Sequence, residues 1–299
     1  MSDLVQIVVY GLTVGSVLAL VALGYNLVFA TSRVVNFAQG SMLVVGGFVA
    51  FAFVRAGVPI WGALPLATLV GALVGVAVDM AAIRPLRDFD PGTSVGWILT
   101  TFSASLVALD LIKLTIGAEP RTIPALVNSV FGWRGSIIQG IPITPGDVMI
   151  VFAALSLMVA GEYVQKHTMA GRALRAVSQD RAAASLMGIN PRRMVMWSFA
   201  IAGALGALGA VLLAPRLFVK FENGLLLGIQ AFVAAVIGGL GSTRGAVVGG
   251  YTIGFIGGVL RVTSASGGQY EPLVVFVVFL LVLVARPTGL LGAPVVEKA

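Results

Sequence analysis

At 299 residues, 58% hydrophobic and 10% charged, with a mean hydropathy of +1.02, the chain has more apolar surface than a soluble fold of its length can hide. It therefore reads as a polytopic membrane protein. The absence of cysteine and the single histidine, His167, exclude a disulfide framework, a thiolate metal site and a histidine-dependent triad. The net charge of +7 sits in gaps between apolar runs, without interleaved aromatic and basic residues that stack on bases, so no nucleic-acid partner is expected.

Runs of about 20 apolar residues, enough to cross about 30 Å of hydrocarbon, predict spans at 4–29, 37–54, 60–83, 94–116, 146–165, 194–214, 225–240, 245–261 and 272–286. The first starts behind Asp3 and is too long for a cleaved signal, so it is expected to remain as a span. The runs at 37–54 and 225–240 are short and glycine-rich, which leaves the count at eight or nine. The fold class is all-α, one membrane domain over 1–299.

The second run is introduced by Asn36, Gln39, Gly40 and Ser41, followed by Val44-Val45-Gly46-Gly47. Glycine permits a bend, and the polar side chains can replace lost backbone bonds or meet a polar solute; helix-end capping is the competing reading. Asp79 lies about one turn from the basic residues Arg84 and Arg87. Asp110 and Lys113 share a helix face at i, i+3 and are placed to pair. No run has the series of charges that a proton relay needs. The segment 117–145 has four prolines and two short apolar pieces around Gly140, and is expected outside, as a packed connection or a docking surface.

Residues 162–197 form the longest cationic interruption. They are rich in Ala, Arg and Leu, good helix formers, with Gly188 as a stop and Asn190-Pro191 as a turn. Two short surface helices are expected within about 166–193. Gly171, Arg172, Arg175, Arg181, Ala182, Ala183, Ala184, Gly188, Ile189 and Asn190 combine positive charge with a small, smooth face suited to a partner's groove. An ordinary basic loop is the competing reading. With this stretch inside, twelve basic residues lie inside and six outside, while Lys113 falls within a span. That bias puts the N-terminus outside and the C-terminus inside.

Four-residue glycine spacings at Gly11/Gly15, Gly71/Gly75, Gly241/Gly245/Gly249 and Gly250/Gly254/Gly258 predict close helix crossings. Gly238, Gly239, Gly241 and Ser242 close the seventh run, and Val247-Val248-Gly249-Gly250 follows, as after Ser41. Paired glycine-interrupted segments point to a repeat with a pathway at its interface. None of the four lysines follows a glycine, so a Walker A loop is absent and any ATP must bind another polypeptide.

The motifs at 11–29 (GLTVGSVLALVALGYNLVF), 34–40 (VVNFAQG), 171–190 (GRALRAVSQDRAAASLMGIN) and 237–250 (IGGLGSTRGAVVGG) resemble the LivH-type permease of branched-chain amino acid ABC importers. The resemblance implies pseudosymmetric halves, cytoplasmic coupling helices at 171–190 and a site in the bacterial inner membrane. It also implies a second permease subunit, two ATP-binding subunits that hold ATP and Mg, and a periplasmic solute-binding protein. Ala182 stands where relatives often carry Glu, and Gln39 where they often carry His. Relatives of this shape also move urea, short amides and other small polar solutes. A stand-alone facilitator or secondary transporter is the alternative class, and it would need intramembrane charges or a self-contained repeat.

Overall fold

A computed structural model describes residues 2–86, 96–124, 136–138, 141–263, 267–286 and 288–292. The long apolar runs form α1 (Ser2–Ser32), α2 (Gln39–Arg55), α3 (Ile60–Val78), α4 (Gly96–Thr115), α5 (Pro145–His167), α8 (Pro191–Leu217), α9 (Phe221–Gly238), α10 (Thr243–Thr263) and α11 (Gly267–Ala285). The basic stretch folds as two short helices, α6 (Met169–Gln179) and α7 (Arg181–Leu186). The two apolar pieces around Gly140 form an antiparallel pair, β1 (Ser136–Ile138) and β2 (Ile141–Ile143), with Ile137 opposite Pro142. Arg87, Gly140 and Lys298 lie outside the described residues.

Among the described residues, eight helices are long and apolar enough to cross a membrane. The ninth run, α2, has 17 residues, or about 26 Å at 1.5 Å per residue. Its start is set by Asn36, whose Oδ1 accepts from the Ala38 amide at 3.1 Å. α3 does not stop at Val78 but continues through a π turn, Asp79–Ile83, and a 3₁₀ turn, Arg84–Leu86, with Pro85 ending the ladder.

The bundle has a centre and a periphery. α1 packs most extensively on α10 and also on α8 and α9, whereas α8 packs on α3, α1 and α2. α4 and α11 are the least buried spans and turn apolar side chains such as Leu106, Leu114, Leu280 and Val284 outward, as lipid-facing helices do. The expected small faces build the central crossings. On the α1–α10 crossing Gly250 packs on Ala19 and Gly254 on Gly11 and Gly15, and on α3–α8 Gly71 and Gly75 meet Gly203 and Phe199.

Ion pairs and arginine bonds between elements keep to two levels, here termed inner and outer after the charge bias. At the outer level Arg121 bridges to Val219, Asp147 pairs with Arg216, and Arg261 with Glu271. At the inner level Glu162 pairs with Arg244, and Arg33 and Arg181 reach across to Ser178 and Thr31. These pairs join residues that the sequence reading assigns to the same end. The Asp110–Lys113 pair forms, at 3.1 Å, with both side chains largely exposed.

Candidate functional site

The inner end of α1 is where the separately predicted groups meet. Ser32 Oγ donates to the Val28 carbonyl at 2.7 Å, and Arg33, at φ 58°, turns the chain toward α2. Asn36, Gln39, Gly40 and Ser41 are all buried. Gln39 Nε2 donates to the Ala202 carbonyl of α8 at 2.9 Å, while its buried Oε1 has no hydrogen-bond partner among the described residues. A Cβ at Gly40 would overlap the Gly224 carbonyl oxygen, so this glycine sets the close approach of α2 to α9. Ser41 Oγ caps the Ala38 carbonyl at 2.8 Å, so its hydroxyl serves the helix end.

The second break closes α9. Gly239 at φ 109° and Gly241 at φ 82° turn the chain in a region that side chains disfavour. Gly238 packs on Gly245 without room for a Cβ. Ser242 Oγ accepts from the Gly245 amide at 3.0 Å and starts α10. Asn26 of α1, which is buried, donates from Nδ2 to the Ser242 carbonyl at 2.7 Å and to that of Gly239 at 3.3 Å. The Asn26 Oδ1 has no hydrogen-bond partner among the described residues.

Both breaks are therefore anchored on α1. Asn26 holds the Gly238–Ser242 break, and the Gln39 amide fills the space beside Gly24. Asn26 had no signal in the sequence beyond being a polar residue within an apolar run. A second unexpected contact comes from the C-terminal segment. Leu290 and Leu291 donate their amides to the Ile237 and Gly238 carbonyls at 2.7 and 2.9 Å, satisfying the open end of α9.

The basic stretch folds as expected, and its capping is legible residue by residue. Thr168 Oγ1 accepts from the Gly171 amide, and Gly171 packs against Val164 and Gln165 of α5 with no space for a side chain. Asp180 caps α7 through the Ala182 and Ala183 amides at 2.8 and 2.9 Å. Gly188 at φ 81° stops α7. Asn190-Pro191, expected as a turn, instead begins α8: Asn190 Oδ1 accepts from the amides of Arg192 and Arg193, and Pro191 needs no donor there.

The small face divides. Ala182 and Ala183 are exposed, whereas Ala184 is buried. Leu186 and Met187, at 88% and 82% exposure, extend the outward face with bulky apolar groups outside any span. Arg172 and Arg175 are exposed, Ile189 is half-buried, and Arg175 donates to the Lys166 carbonyl at 3.2 Å. Arg181 turns back and donates from Nε to the Thr31 carbonyl at 3.0 Å, with Nη2 on the same oxygen. Burial first, and the nearby Arg33 charge second, lower the Arg181 pKa from its ordinary value. An arginine stays protonated even so.

A cavity of about 250 Å³ lies between these parts. Asn26 and Ala30 of α1, Arg175 and Ser178 of α6, and Gly241 and Thr243 of the second break line it. No group of three or more potential metal ligands occurs among the described residues.

The chain matches the family described as branched-chain amino acid transport system / permease component over residues 7–283. It is 33% identical over 98% of its length to the high-affinity branched-chain amino acid transport system permease protein BraD of Pseudomonas aeruginosa, covering 97% of that protein. It is 32% identical over 96% of its length to the LivH permease protein of that name in Escherichia coli K12, covering 95% of it. In fold it is similar, with a TM-score of 0.52 and 17% identity, to a putative metal-chelate type ABC transporter in an inward-facing conformation, over 94% of this chain and 85% of that one. With its apolar helices packed by glycine and its match across nearly the whole length, the chain is a multi-pass membrane protein that belongs to the branched-chain amino acid transport system permease component family.

Proposed function

We propose that this chain is the translocation subunit of an ATP-binding cassette importer for branched-chain amino acids in the bacterial inner membrane. The reading assigns it a second permease subunit, two ATP-binding subunits carrying ATP and Mg, and a periplasmic solute-binding protein. One observation carries the mechanism: the inner end of α1 is bonded both to the basic helices and to the two glycine breaks. A push on α6 and α7 from an ATPase would reach α1 through Arg181 on Thr31 and Arg33 on Ser178. Displacement of α1 would then carry Asn26 and the Gly24–Gln39 contact, re-aiming both breaks together.

In this mechanism Ala182, Ala183, Leu186 and Met187 seat in the ATPase groove, with Arg172 and Arg175 at its rim. Asn36, Gln39, Gly40, Ser41, Gly238, Gly239, Gly241 and Ser242 form the gated part of the path. Helix ends there offer backbone groups to a zwitterion without a full charge in the membrane. A related permease, RbsC of Escherichia coli, 29% identical over 89% of this chain, is a ribose import protein, so the solute class is the part to test first.

The test is reconstitution of the complete assembly with its binding protein in vesicles. ATP-dependent uptake of leucine, isoleucine or valine, with ribose and urea left outside, is the expected result; ribose uptake without amino acid uptake would overturn the solute assignment. Ala183→Glu and Gly188→Trp should leave insertion intact while solute-stimulated ATP hydrolysis falls about tenfold or more, as for a mispacked docking surface. Normal stimulation in both would remove 171–190 as the dock.

A further inference from the structure

A second cavity, about 650 Å³, opens at the inner end between the close of α3 and the start of α8. Arg84, Arg181, Arg192 and Arg193 all line it. Its one acidic lining residue among those described is Asp79, already held by Arg84 Nε at 3.0 Å. Arg192 and Arg193 have no ion-pair partner among the described residues, and their backbone amides are taken by Asn190. Arg181 is held near Arg33, and its pKa is lowered by burial and by that like charge. Several guanidinium groups around one hollow repel one another, and an anion between them relieves that repulsion.

The walls are not those of a soluble-anion site. Met80, Ile83, Leu86, Trp97 and Val195 give the cavity an apolar side. Its rim is built from the last turn of one span and the first turn of another, which puts it at the level where a bilayer's headgroups lie. Trp favours that level because its ring is apolar and its N–H is polar. Guanidinium groups match phosphate oxygens in a two-bond fork.

We propose that this cavity binds the phosphate of an anionic phospholipid of the inner leaflet, with Arg192 and Arg193 supplying its positive charge and Met80, Ile83 and Trp97 against the glycerol and upper chains. Basic pockets between membrane helices on that side hold anionic headgroups by this combination of charge and apolar wall. The bound lipid neutralises the hollow between Arg181 and α8, and so steadies the arginine that ties the basic helices to α1.

The experiment uses the full chain in its purified assembly, in nanodiscs mixing phosphatidylglycerol with phosphatidylcholine, and counts retained lipid by native mass spectrometry. The wild type should retain phosphatidylglycerol preferentially, and the double variant R192Q/R193Q should lose that preference by about tenfold or more, given the attraction of each arginine for an anionic surface. The double lysine variant, R192K/R193K, should recover part of it, because the charge remains and the fork is lost. Absence of any preference in the wild type overturns the proposal whether or not the variants can be purified. Full preference in R192Q/R193Q overturns it too. Displacement of the lipid by millimolar inorganic phosphate would make the site one for a free anion. Loss of a partner subunit from R192Q/R193Q with lipid retained would make the face a protein interface.

Discussion

The two ends of the bundle are held together by different chemistry. At the outer end the acids that link helices are nearly buried: Asp147, 5% exposed, pairs with Arg216 across α5 and α8, and Glu271, 6% exposed, with Arg261 across α11 and α10. Tyr10 and Gln230 add hydrogen bonds to Glu271 from α1 and α9, at 3.4 and 3.3 Å. At the inner end the linking acid, Glu162, is 33% exposed and shared between Lys166 and Arg244. The other charged links there are arginines on backbone carbonyls. Asp79 is buried there, but its partner Arg84 lies in the next turn of the same continuous helix, so the pair links no two separate helices. A buried pair resists separation because either charge left alone has lost its water, whereas an exposed pair exchanges with solvent at little cost. By their ion pairs the outer end is the more tightly braced, and the inner end the freer to rearrange.

The assignment of inner and outer is open to an all-or-none test. Because the chain has no cysteine, single cysteines at Glu119 and Gln179, both exposed, report cleanly. An impermeant maleimide on intact cells should label the first and leave the second untouched; the reverse would exchange the two ends.

The bracing should appear next, as stability. Asp147→Ala or Glu271→Ala should cost about 2–4 kcal/mol, less than a fully buried pair because Arg216 and Arg261 stay partly exposed. Glu162→Ala should cost far less, because its pair is exposed to solvent. Denaturation midpoints in detergent measure both, and equal losses at the two ends would dissolve the contrast.

Gly171→Val acts on the inner end alone. Its side chain would collide with Val164 and Gln165, lifting α6 from α5 at about 1–3 kcal/mol of local packing. The expected outcome is an assembly that keeps its outer bracing but loses transport; normal transport would show that α6 need not seat on α5. Salt gives the smallest effect. The difference between wild type and Glu162→Gln should fade above about 0.5 M salt, as screening removes an exposed pair, while that of Asp147→Asn should persist.

Much of this molecule was legible before folding. Nine apolar runs became nine helices because hydrocarbon demands internally bonded backbone and a set length. The basic stretch became two surface helices because its composition and caps are local. The four-residue glycine spacings announced the α1–α10 and α3–α8 crossings, since only a missing Cβ allows those backbones to approach. What stayed hidden was which distant groups meet. Asn26 looks like any polar residue in a span until the fold puts the Gly239 and Ser242 carbonyls within its reach. Glu271 looks like the edge of a span until Arg261, Tyr10 and Gln230 close around it. The end of α9 is satisfied by a segment some fifty residues later, Leu290 and Leu291. Length, capping and spacing are properties of a single segment and can be read along the chain. The partners of a buried polar group are chosen by packing between segments, and only the tertiary structure brings them together.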